Sequence, residues 1–309
     1  MKHPSRVLAA LAALVIGGGA VWLALQERVR LSAARPADML QRLPPDNSMV
    51  LFVDFDALRS GGVLKLLSSS KNPEEPQYRA FVSATGFDYR NDLDLAAASF
   101  SNAGEYFVVK GRFDWKKLRS YADAQGGSCE SRLCRMPGST PDRQISFLPL
   151  QPNLMALAVS MDASAAMRLA EAPGAIVQPL DPPLDPVWLS IPAESLKAAG
   201  QLPAGPRLFA TALASADKIL LSLGPEGRQL QARLAVTCRT SADAAALAGQ
   251  LQHATKLIRD MMARENQKPN PQDLSGVLTA GVFEQAGRRV LGRWPLPTAF
   301  LEFLAGGAL

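Results

Sequence analysis

Two aspartates at the end of an apolar run carry the sharpest chemical signal in this 309-residue chain. Val50-Leu-Phe-Val leads into Asp54-Phe-Asp56. A carboxylate nucleophile beside a bound hard cation is sound chemistry for such a strand end. Cys129 and Cys134 flank Glu130-Ser131-Arg132-Leu133, a stretch short enough to close a hairpin. In an oxidising compartment that pair makes a structural disulfide; the alternative is two free thiols. Ser68-x-x-Lys71 and Ser215-x-x-Lys218 have the spacing of a serine nucleophile beside a lysine, but no Lys-Thr-Gly or Ser-Asp-Asn element accompanies either, and both read as coincidence. The only histidines are His3 and His253. A site with two histidine ligands is therefore excluded from the folded part, and any Ser-His-Asp arrangement rests on His253 alone.

The Val50–Asp56 segment resembles the first motif of haloacid-dehalogenase-type phosphatases. That resemblance implies Asp54 as nucleophile, Asp56 as acid/base and a Mg²⁺ ion. The fold it implies is a parallel sheet of alternating βα units, whereas hairpins follow here, and no distal acidic pair with a lysine and a serine or threonine comes in order. The competing reading has Asp56 capping the next helix and Asp54 ending the strand.

Charge narrows the classes further. There are 33 Lys and Arg against 28 Asp and Glu, with no basic cluster interleaved with aromatics. Nucleic-acid binding needs a concentrated basic footprint, so it is set aside. Val7 to Leu25 carries no charged or strongly polar side chain, close to the ~20 residues of a spanning helix. Gln26, Glu27, Arg28 and Arg30 follow at once, which disfavours cleavage. Residues 1–26 are read as an uncleaved membrane anchor, with a cleaved signal ending near Ser32-Ala33-Ala34 as the alternative. Lys2 and Arg6 precede the run and Arg28, Arg30, Arg35 and Arg42 follow it, so the charge count does not favour an exported body. Long domains translocate largely regardless of charge, and the cysteine pair favours a body outside the cytoplasm.

The elements that must position these residues alternate between strands and helices. After a polar stalk, 27–44, strand Met49–Val53 leads to a helix from Ala57 to Ser68. Hairpins turn at Asn102-Ala103-Gly104 and Pro152-Asn153, with a helix from Asp114 to about Gln125 between them, and Asp162 opens a further helix. Pro173, Pro179, Pro182, Pro183 and Pro186 make 173–186 a linker. The order then returns. Met49–Arg59 matches Val187–Lys197 at a constant offset of 138 residues. A hairpin follows over Lys218 to Cys238, then a long amphipathic helix from Ser241 to Arg264. A last hairpin, Val277–Phe283 with Val290–Trp294, precedes a helix from Thr298.

The expected fold is α+β: an N-terminal transmembrane helix followed by two related, mostly antiparallel sheet-plus-helix units, 45–172 and 187–309. Helices should gather on one face. With its anchor, repeated α+β units and a Pro-x-(Asp/Asn)-Ser lead-in to the first strand, here Pro45-Asp46-Asn47-Ser48, the chain resembles uncharacterised bacterial exported proteins. That resemblance implies no catalytic residues. The expectation is a non-enzymatic envelope module of the inner membrane, held through residues 7–25, that needs no cofactor or metal and binds a protein or envelope component.

Overall fold

Alternating apolar side chains build the strands, and tight turns join most of them into hairpins. The computed structural model describes residues 35–44, 48–68, 76–171, 183–196, 204–227 and 229–305. Its strands are β1 (Met49–Asp54), β2 (Leu93–Ser101), β3 (Gly104–Gly111), β4 (Ser128–Glu130), β5 (Leu133–Pro137), β6 (Gln144–Gln151), β7 (Leu154–Ser160), β8 (Val187–Pro192), β9 (Lys218–Glu226), β10 (Gln229–Thr237), β11 (Val282–Ala286) and β12 (Arg289–Leu296). All belong to one antiparallel sheet ordered β11-β12-β10-β9-β8-β1-β2-β3-β7-β6-β5-β4. The sequence separates two units, but β1 and β8 pair directly, so one sheet runs through both halves.

Outward from that seam the halves follow the same path. One runs β1-β2-β3-β7-β6 and the other β8-β9-β10-β12-β11, with β5 and β4 extending the first. Each third strand leads into a helix, α6 (Trp115–Ala124) in the first half and α8 (Ser241–Arg264) in the second, before the chain returns to the sheet. The α8 helix begins at a capping box: Thr240 Oγ1 accepts from the Asp243 amide at 3.0 Å, and the Asp243 carboxylate accepts from the Thr240 amide at 3.1 Å. Its Ala244, Leu247, Leu251 and Ala254 recur at helical spacing and are buried. They pack with α7 (Ala204–Leu213), α9 (Leu274–Thr279) and α10 (Thr298–Ala305) onto Ile219, Leu234, Val236 and Val290 of the sheet.

Several expectations change. Helices lie on both faces of the first half. Adjacent β7 residues point to opposite faces; Met155 packs under α6, whereas Leu154 and Ala156 pack under α1 (Pro36–Leu40) and a 3₁₀ turn, Ala165–Leu169. That turn stands where a full helix from Asp162 was expected. Met39 and Leu43, assigned by sequence to a stalk, are buried in this layer. The helix expected from Ala57 to Ser68 is two, α2 (Phe55–Ser60) and α3 (Val63–Ser68), because Gly61-Gly62 ends the first and Gly62 adopts φ +73°. Val277 belongs to α9, not to the last hairpin, because Asp273 caps a helix there. Among the described residues no helix is long and apolar enough to cross a membrane; segment 7–25 and most of the linker lie outside them.

Candidate functional site

Asp54 ends β1 and caps α2, accepting from the Ala57 amide at 2.8 Å. The cap is thus Asp54, two residues earlier than the sequence reading that gave the role to Asp56. Asp56 is exposed and pairs with Arg59 at 3.0 Å. Arg59 also donates to the carbonyls of Arg90 and Leu93, tying α2 to the start of β2. Both carboxylates therefore have structural partners. Among the described residues, no three His, Cys, Asp or Glu side chains gather in a way that could hold a metal.

Asp54 nevertheless borders a cleft of about 860 Å³ over the seam between the halves. Phe52 and Trp188 form its floor, stacked with ring centroids 5.6 Å apart, and Leu40, Leu58 and Leu301 rise around it. Its second carboxylate, Asp185, is committed to Arg233 at 2.7 Å and to the Ser222 hydroxyl. Arg233 also reaches Glu226 at 2.7 Å.

Cys129 and Cys134 face each other across the β4–β5 hairpin and form a disulfide, with Cα atoms 4.0 Å apart. Ser131 takes φ +54° in the turn between them. Cys238 is a buried free thiol, held above its ordinary pKa by burial and then by Asp243 and Asp217. His253 is exposed on α8. The Ser215 hydroxyl donates to the Ala212 carbonyl at 3.4 Å, a local bond at the end of α7. Lys71 lies outside the described residues.

A second cavity, not foreseen from the sequence, is built where α4 (Pro76–Thr85) and α6 cover the other face of the first half. It measures about 390 Å³. Val109, Ile145, Met155 and Leu157 of the three-strand stretch β3-β7-β6 make its floor, and Phe81, Phe87, Phe113 and Tyr121 its walls and lip. Tyr121 supplies its one side-chain oxygen among the lining residues. The rings interlock: Phe81 meets Tyr121 edge-on at 5.2 Å, and Phe87 stacks on Phe113 at 5.4 Å. Phe113 in turn tilts against Trp115, whose indole donates to the Pro152 carbonyl at 2.8 Å. The signal was present in the composition. Residues 78–121 hold ten of the chain's twenty aromatics, too many for one amphipathic helix to require.

No family model matches the chain, and no curated protein matches it. Solved structures to which it is similar include crystal forms of TP0453. Form I has 10% identity and a TM-score of 0.48, with 89% of this chain and 96% of that one covered. Form III has 10% identity and the same TM-score over 86% and 96%. Form IV has 10% identity and a TM-score of 0.42 over 88% and 96%.

Proposed function

We propose that this protein is a single-pass envelope protein whose body lies outside the cytoplasm and works by binding rather than by turnover. The observation that carries the reading is the Cys129–Cys134 disulfide, closed across a short hairpin. Such bonds persist where the compartment is oxidising. The apolar run from Val7 to Leu25 supports an inner-membrane anchor. Binding is supported by what the reactive side chains already do: Asp54 caps a helix and Asp56 pairs with Arg59. The shared path of the two halves supports their reading as related units, joined edge to edge at β1 and β8.

Membrane fractionation tests the anchor. The full chain should resist carbonate extraction, and a chain lacking residues 1–26 should be soluble and folded. Release of the full chain by carbonate or high salt would overturn it.

A further inference from the structure

We propose that the cavity beneath α4 and α6 binds one long-chain fatty acid, with the acyl chain against the sheet and the carboxylate at the Lys117 lip. The interior sets the chain. Its lining offers a polar ligand almost nothing to hydrogen-bond, so a sugar, a nucleotide or a peptide backbone would be buried with unsatisfied groups. Its volume of about 390 Å³ falls within the ~300–1,000 Å³ of small-molecule sites and suits one chain rather than a two-chain lipid. Met136 and Met155 add flexible thioethers that adapt to a chain of variable shape.

The lip sets the headgroup. Phe87 and Phe113 line the apolar cavity and also a polar recess containing Asp92, Arg112, Asp114 and Lys117. Tyr121 likewise borders both the cavity and a recess with Lys116 and Lys117. Three cations thus face two carboxylates. Asp92 is taken by Arg112 at 3.1 Å. Asp114 accepts from the amides of Lys116 and Lys117 at the start of α6. Lys117 Nζ stands 3.8 Å from Asp114, too far for a hydrogen bond, and Lys116 is exposed. A carboxylate at this lip gains a charge-assisted donor from Lys117, whose ion pair with Asp114 at 3.8 Å is longer than a hydrogen bond.

The proposal deepens the binding reading and rests on it. Its test uses the full chain in native membranes with a diazirine-bearing palmitate, irradiated and mapped by mass spectrometry. Label is expected on peptides spanning 76–121 and 144–160, displaced by palmitate and less well by hexadecanol. Label on residues 7–25 reports the anchor separately, so the two readings fail independently. Leu157→Trp should abolish cavity label while leaving anchor label and the melting temperature unchanged. If that variant does not fold, the surface pair Lys116→Glu/Lys117→Glu serves. It should cut the preference for palmitate over hexadecanol about fivefold, the scale of a lost surface ion pair. Label confined to residues 7–25, cavity label that survives in a folded Leu157→Trp protein, or equal displacement by acid and alcohol would overturn the proposal.

Discussion

Leu51 and Leu189 are direct partners across the β1–β8 pair, and they are also residues equated by the 138-residue offset in the sequence. A local two-fold axis through that pair carries β1 onto β8. One residue along, Phe52 faces Trp188, and both rings are buried, at 6% and 2% exposure. The seam is thus a packed core element rather than a contact between finished units. Replacing either ring by alanine should cost about 3–5 kcal/mol, the usual range for a buried aromatic. Both halves should melt in one transition, at a lower temperature in either variant, and Trp188→Phe should recover most of the loss. Calorimetry showing two independent transitions, one untouched by Trp188→Ala, would contradict a shared core.

The role of Asp54 separates by substitution. Asparagine can still accept from the Ala57 amide, whereas alanine cannot. Asp54→Ala should therefore cost about 1 kcal/mol and Asp54→Asn a few tenths. Asp56→Ala removes only an exposed pair and should cost between ~0 and ~1 kcal/mol. Mg²⁺ should leave the melting temperature unchanged. A rise with Mg²⁺ that Asp54→Asn abolishes would mark a metal site by linkage, and would restore the phosphatase-like chemistry.

How far the sequence was legible follows from the range over which each signal acts. Local signals read well. The α8 helix spans Ser241–Arg264, as its apolar stripe implied, and the Cys129–Cys134 hairpin closes as its spacing implied. The 138-residue offset anticipated the common path of the halves, yet did not show that β1 and β8 would pair. Edge pairing depends on two strands far apart in the chain finding each other, and periodicity carries no record of that. Met39 and Leu43 were misread for the same reason. A short helix among polar residues looks like a stalk until the 3₁₀ turn and β7 close over it. The apolar cavity was hidden because its floor and lip come from segments between Phe81 and Leu157, and each apolar side chain alone reads as ordinary core.

Acid should weaken the fold through helix-end carboxylates. The Asp273 carboxylate accepts from the Ser275 hydroxyl at 2.5 Å and its amide at 2.7 Å, capping α9. The Ser275 hydrogen bond is the main cause of its lowered pKa, and it outweighs burial acting in the other direction. Asp162 is lowered in the same way by Ser164. A carboxylate whose folded pKa is depressed contributes stability above its unfolded value, ~3.9, and loses it as pH falls through the folded value. Denaturant midpoints measured between ~pH 5 and ~pH 2 should fall, and Asp273→Asn, which keeps a capping oxygen but does not titrate, should flatten part of that slope. An unchanged slope in Asp273→Asn would show that other groups carry the acid sensitivity.

Thiol counting decides the disulfide and, with it, the strongest support for export. Cys238 is 3% exposed and its thiol is held protonated by burial, so a thiolate-selective reagent should find no target in the native, unreduced protein. Denatured without reductant, the chain should take one label, at Cys238; denatured with reductant, it should take three. The loop closed by Cys129 and Cys134 spans a sequence separation of 5, so the bond should stabilise by less than the ~3 kcal/mol of a fifteen-residue loop. Cys129→Ser/Cys134→Ser should accordingly fold, melt slightly lower and keep the β4–β5 hairpin, which Arg135–Glu130 also spans at 3.2 Å. The bond then reports where the protein resides more than how stable it is. Three labels in freshly isolated, unreduced, denatured protein would remove the disulfide and leave the extracytoplasmic placement resting on the apolar segment alone.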